Sequence, residues 1–250
     1  MLDSNLLLEY AANFYGYGDL SAPIWFIGME EGGGGKDTVE KRLEAWERRG
    51  RRAVEDLADY HEAMGVGHLT TGKNVKLQST WAKLIYFQMS AEGAKPDREA
   101  VRDFQASTWG RDSSKTCLLE LMPLPKRKAS CWQYDEWTDI PELWSRELYF
   151  AHFAATRAQG LKTLIQENKP KIIVFYGKSG GFSCHWPWIA GVKLEHWQKA
   201  GTWRELTSGD QKFIIAPHPT AHHSTNETWA RAGAEVSGDV TIDRPGRFSR

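Results

Sequence analysis

Apolar residues in this chain gather in short continuous runs separated by amphipathic stretches. The first run, Ile24-Trp25-Phe26-Ile27, ends at Gly28, and a polar, helix-forming stretch follows from about Asp37 through Met64. Leu43, Trp46, Val54 and Leu57 give that stretch a broken apolar stripe, Gly65 and Gly67 close it, and Thr80 to Met89 predicts another helix. The second run, Cys117-Leu118-Leu119, leads into Glu120 and then meets the breakers Pro123 and Pro125. After an irregular aromatic-rich stretch, a long helix is predicted from about Glu142 to Asn168, interrupted near Gly160 and stopped by Pro170. The third run, Lys171 to Tyr176, ends at Gly177; the fourth, Phe213 to Ala216, ends at Pro217-His218-Pro219. Between them, Trp203 to Leu206 with the turn Ser208-Gly209-Asp210 predicts a hairpin with the fourth run.

Short apolar strands alternating with helices imply a largely parallel sheet covered on both faces. The expected fold class is therefore α/β: a three-layer α/β/α sandwich with a short, mainly parallel central sheet. One domain is expected over residues 1–250, with a core of about 20–232 and a C-terminal tail of 233–250. Ligands of such sheets bind beyond the carboxyl ends of the strands. The chemically unusual residues occupy that position four times, in Gly28 to Gly35, Glu120 to Lys128, Gly177 to Gly181 and His218 to His223. That layout is enzyme-like.

Composition narrows the picture. No run reaches the roughly 18 apolar residues of a membrane span, and Met1-Leu2-Asp3-Ser4 does not begin a secretory signal, so the cytoplasm is expected. Cys117, Cys131 and Cys184 are too few for a disulfide framework and read as small buried hydrophobes. The 32 basic and 32 acidic residues cancel, which argues against a nucleic-acid partner unless the basic residues cluster. Two clusters exist, Lys126-Arg127-Lys128 and Arg48-Arg49-Gly50-Arg51-Arg52, and each fits either phosphate contacts or a solvated face. The 12 tryptophans read mostly as core or groove walls, with some available to stack on bases.

Three strand-end clusters carry candidate chemistry. Gly28-Met29-Glu30-Glu31 with Gly32 to Gly35 and Lys36 combines two adjacent carboxylates with backbone N–H groups open to an anion; a flexible surface loop is the plainer reading. It is not a Walker loop, because Glu30 stands where a glycine is needed and Asp37 where a hydroxyl is. Glu120, directly after an apolar run, must be hydrogen-bonded or used, either in chemistry or as the cap of a turn. His218, His222 and His223 lack a local carboxylate or cysteine that would complete a zinc site, so no metal is assigned and His218 is the catalytic candidate.

In this order the clusters resemble the motifs of the uracil-DNA glycosylase superfamily. Gly28-Met29-Glu30-Glu31-Gly32 is similar to the G-M-N-P-G of its single-strand-selective branch, Glu120-Leu121-Met122-Pro123-Leu124 to that branch's N-x-x-P-L, and His218-Pro219-Thr220 to H-P-S. Lys169 to Gly177 resembles the superfamily's K-P-x-x-I-V-x-x-G strand. The likeness covers about residues 23–229 and is confined to these strand ends. It departs at Glu30, where the family has Asp, Asn or Ala, and at Glu31, which replaces a proline. Glu120 replaces an asparagine, and Ala221-His222-His223 replaces a stretch that often carries an apolar wedge. The iron–sulfur branches are excluded, since their four cysteines are missing.

The resemblance implies a monomeric DNA glycosylase, without cofactor, acting on a base exposed from single- or double-stranded DNA. Glu30, with Glu31 as fallback, would stabilise the cationic sugar and orient water, and His218 would donate to the base's developing oxyanion. Glu120, Met29 and Leu121 would contact the base. Gly32, Gly33, Lys36, Lys126, Arg127, Lys128, Lys178, Thr220, His222 and His223 would hold the DNA. An ionised Glu120 only accepts hydrogen bonds, which suits the amino group of cytosine and predicts a C5-modified cytosine, as in phage DNA; a protonated Glu120 would read uracil. Two other functions fit the same residues. One is a nucleotide or nucleoside hydrolase, favoured by the neutral charge. The other is a non-catalytic reader of modified DNA, disfavoured by the carboxylates at two strand ends.

Overall fold

The computed structural model describes residues 1–72, 75–113, 115–126, 131–178 and 181–237. It is an α/β protein in which the four apolar runs lie side by side. These are β2 (Ile24–Gly32), β4 (Thr116–Lys126), β5 (Ile172–Tyr176) and β8 (Gln211–Ala216), and all pairs among them are parallel, in the order β4-β2-β5-β8. The sheet is larger and more mixed than the sequence suggested. β1 (Gly16–Gly18) adds antiparallel to β4, and β3 (Val54–Glu55) pairs with β1. On the far side β7 (Trp203–Ser208) and β6 (Gln198–Ala200) add antiparallel to β8, making eight strands among the described residues. The predicted hairpin is present, and Gly209 takes φ 58° in its turn.

Eight α-helices are found among the described residues: α1 (Ser4–Asn13), α2 (Lys36–Arg48), α3 (Leu57–Ala63), α4 (Ser79–Ala91), α5 (Arg98–Ser107), α6 (Arg146–Asn168), α7 (His185–Ala190) and α8 (Asn226–Ser237). The sequence reading missed α1, α5, α7 and α8, of which α1 and α5 are each started by an aspartate cap: Asp3 accepts from the Leu6 N–H at 2.9 Å and Asp97 from the Ala100 N–H at 2.8 Å. α8 runs to Ser237 with Val236 buried, so ordered packing passes the boundary expected at 232. No helix of the described residues is long and apolar enough to cross a membrane.

Three further expectations need correction. The helix expected from Asp37 to Met64 is two helices, because Gly50 (φ 86°) and Arg51 (φ 56°) turn the chain into β3 between them. Gly28 does not end β2, nor do Pro123 and Pro125 end β4. Pro123 and Pro125 fall where the β2–β4 register shifts, between Met122 paired with Glu30 and Lys126 paired with Gly32, so the regular ladder is already interrupted where their N–H groups are missing. Gly160 does not interrupt α6 either. A Cβ there would lie 1.9 Å from the Tyr15 hydroxyl, so the glycine serves close packing rather than a break.

Arg157 of α6 fixes the strand end. It is buried, its Nη2 donates to the Glu120 carbonyl at 2.9 Å, and its Nε donates to the Leu121 carbonyl. Its Nη1 donates to the carbonyls of Ala11 and Ala12 at 3.1 and 3.0 Å, so one guanidinium ties β4 to the end of α1. The opposing packing of Phe26 on Phe87 and Trp109 anchors β2 to α4 and the loop after α5.

Candidate active site

Because parallel strands are in register, residues at matching heights share a face. Gly28 pairs with Glu120, and Glu30 with Met122 one step higher. A Cβ on Gly28 would sit 2.2 Å from Glu120 Oε2 and 2.3 Å from the Tyr176 hydroxyl. The absent side chain at Gly28 is therefore what lets β4 and β5 bring a carboxyl and a phenol together above β2. The Tyr176 hydroxyl donates to Glu120 Oε1 at 2.7 Å. Glu120 Oε2 is sealed from solvent and has no hydrogen-bond partner. Burial pushes the Glu120 carboxyl up to about 8, the charges of Glu31 and Glu30 add to the rise, and Tyr176 and Arg157 oppose it. At neutral pH the group is mostly protonated.

His218 follows β8 and lies beside this pair, its ring centroid 5.9 Å from that of Tyr176. The backbone N–H of Thr220 donates to His218 Nδ1 at 3.2 Å, and the Thr220 hydroxyl lies 2.8 Å from the same nitrogen. An Nδ1 that accepts an N–H bears no proton, so the neutral ring carries its hydrogen on Nε2. Partial burial, with Lys83 of α4 nearby, lowers the imidazole's pKa and keeps it neutral. The result is an uncharged donor at the carboxyl end of the sheet.

The two adjacent glutamates part company. Arg146, at the start of α6, donates to Glu30 through Nε at 3.1 Å and Nη2 at 2.8 Å, and Lys126 Nζ lies 2.8 Å from Glu30 Oε2. The Glu30 and Lys126 side chains are each only 9% exposed, so the pair is shielded from water and from salt. Glu31 instead accepts from the Tyr17 hydroxyl and from Arg42 Nη1, each at 2.9 Å. That ties it to a tyrosine-lined cluster with α2, although its charge still acts on Glu120.

Several other expected residues are not brought to the strand-end pair. Leu121 is buried with its carbonyl held by Arg157. Met29 packs over Gly177, where a Cβ would lie 2.5 Å from its sulfur. Lys36 lies 3.7 Å from Glu40 on its own helix. Gly32 and Gly33 are exposed in the turn into α2, Lys178 donates to the Thr202 carbonyl at 2.8 Å, and Thr220 serves His218. His222 and His223 are exposed, their ring centroids 3.7 Å apart and the rings tilted by 39°. Arg127 and Lys128 lie outside the described residues. The other basic cluster is occupied by acids rather than open to phosphates: Arg49 binds Glu55, and Arg51 binds Glu9 and Glu47.

No protein-family model matches the chain, and no curated protein matches it either. Among the described residues no three histidine, cysteine, aspartate or glutamate side chains gather as a metal site. The sequence reading missed Tyr176, Arg146 and Lys83. Tyr176 had a signal, since it ends the third apolar run at the height of Gly28 and Glu120. Arg146 had none, lying 116 residues from its partner Glu30. The exposed Trp144 and Leu148, 58% and 46% accessible, flank Arg146 and were likewise passed over.

Proposed function

We propose that this chain is a DNA glycosylase of the uracil-DNA glycosylase type, with its sheet and helices forming a three-layer sandwich. The observation that carries the reading is His218: a neutral imidazole whose tautomer is fixed by Thr220, next to a carboxyl-phenol pair that meets above β2 from the strands on either side of it. N-glycosidic hydrolysis leaves negative charge on the departing base and positive charge on the sugar. The His218 Nε2–H suits the first as a hydrogen-bond donor that needs no proton transfer. Glu30 suits the second. Its charge is answered at rest by Arg146 and Lys126, two cations that the phosphates of a bound strand also attract. Drawing either away exposes carboxylate charge to the sugar. Water then adds at the sugar carbon as the base leaves with the bonding electrons. Trp144 and Leu148 beside Arg146 offer an apolar surface for flanking bases.

The Glu120 carboxyl reads the base, which must first uncover the sealed Oε2. Protonated, it donates, which favours a pyrimidine carbonyl such as that of uracil; its burial supports this form at neutral pH. A second reading, a cytosine modified at C5, needs the ionised form. The Tyr176 O–H donated to Oε1 and the Arg157 charge favour that form.

Base release measured by mass spectrometry from DNAs carrying uracil, cytosine or C5-modified cytosines tests both. Release is expected, reduced about 10²- to 10³-fold in His218→Ala and in Glu30→Gln. Uracil release that fades above about pH 8 supports the protonated form, and cytosine release that grows there supports the ionised one. No release from any DNA, while DNA is still bound, would replace the glycosylase by a reader of modified DNA.

A further inference from the structure

A second feature stands apart from the strand-end site. The outer hairpin of the sheet puts Lys199 of β6 directly opposite Arg204 of β7, and Arg204 directly opposite Ile215 of β8. Paired residues share a face, so the two cations project together, their Cβ atoms about 5 Å apart. Like charges so opposed on an antiparallel pair destabilise it. A third cation, Lys178, is held at the same place by donating to the Thr202 carbonyl at 2.8 Å. These three side chains, with Ser183 and Leu194, line a cleft of about 280 Å³.

Among the described residues no carboxylate lines the cleft, and the neighbouring acids are engaged elsewhere. Glu205 projects to the opposite face and binds Lys212 at 3.0 Å, while Glu195 lies 3.9 Å from Lys193 and 3.7 Å from His196. Among the described residues, Lys199 and Arg204 are in no ion pair. Tyr176 pairs with Ala216, one residue past Ile215, so the Tyr176–Glu120 pair projects from the other face of the sheet.

We propose that this cleft binds a phosphate group. Two ammonium groups, a forked guanidinium and a hydroxyl supply more donors and charge than a lone carboxylate ligand uses, and they match the several oxygens of a phosphate. Leu194, 42% exposed, gives an apolar wall for the organic part of the ligand. The anion answers the Lys199–Arg204 repulsion, which gives the hairpin a reason to keep two cations face to face. The phosphate belongs either to a free nucleotide or to the backbone of a strand. The proposal does not depend on the glycosylase reading.

Binding of two probes to the full chain, by isothermal titration calorimetry, separates the sources: thymidine 5′-monophosphate, and a short oligothymidylate without terminal phosphates. Wild-type protein is expected to bind at least one, and Lys199→Ala/Arg204→Ala to weaken that binding by about tenfold or more. Preference for the monophosphate assigns a free nucleotide, and preference for the oligomer assigns a strand. Arg204→Glu is expected to abolish binding yet raise the melting temperature, because it makes the cross-strand pair attractive. The proposal is overturned if wild-type protein binds neither probe, if the double variant binds both as tightly as wild type, or if Arg204→Glu lowers the melting temperature.

Discussion

Two half-buried acidic residues, Glu31 and Glu120, are matched in two different ways. Around Glu31 the acid is matched: Arg42 and Tyr17 both donate to it, and Tyr10, Tyr60 and His61 surround the pair in aromatic packing. The Glu31 charge, with those of the nearby tyrosines, holds the Arg42 guanidinium well above its ordinary value despite burial. Around Glu120 the acid is left half-matched, with one oxygen taken by Tyr176 and the other by nothing. A low-dielectric site keeps a charge when a countercharge touches it and neutralises it otherwise. The first arrangement holds structure. The second leaves a hydrogen-bonding group for a ligand.

The largest separation between the regions should come from removing one cation. Arg42→Met leaves the partly buried Glu31 carboxylate without its countercharge and should cost up to about 3 kcal/mol in denaturant unfolding. Glu120→Gln keeps the shape and removes an ionisable group that has no countercharge, so at neutral pH it should not destabilise by a comparable amount. An equal loss in both variants would erase the distinction.

The pH dependence of stability should have opposite sign in the two places. His61 is held down to about 3 by burial and by Arg42, against an ordinary 6.5. The unfolded chain takes up that proton first, so the stability from a neutral His61 is lost as pH falls from about 6.5 toward 3. Glu120 is raised from 4.5 to about 8, so its contribution is present below pH 4.5 and lost as pH rises to about 8. Each slope should be on the order of a few kcal/mol in full. Melting temperatures across pH should show the acid-side loss shrink in His61→Phe and the alkaline-side loss shrink in Glu120→Gln. Persistence of either slope in its own variant would assign it to other groups.

The smallest effect on stability, and the sharpest on the site, is expected from Gly28→Ala. The added methyl group meets Glu120 Oε2 and the Tyr176 hydroxyl, and parting them should cost about 1–3 kcal/mol and, on the proposed glycosylase reading, change which base is released. An alanine variant with unaltered stability and selectivity would mean that the pair adapts without strain.

Much of this arrangement is legible along the chain. The four apolar runs, their parallel pairing and the placing of Glu30, Glu120 and His218 just after those runs follow from continuous apolar stretches, which only a sheet covered on both faces can bury, although β2 and β4 run on past both glutamates. The neutral tautomer of His218 is also local, since Thr220 is two residues away. What the chain alone left open is partnership. Nothing in Glu30-Glu31 says that one carboxylate meets Arg146, 116 residues on, while the other meets Arg42. Nor does the run ending at Tyr176 say that its hydroxyl reaches Glu120. Periodicity is a property of neighbours in sequence and determines which faces are apolar. A carboxyl's charge state depends on atoms within a few ångströms in space, and only the register of β2, β4 and β5 with the placement of α6 decided which atoms those are.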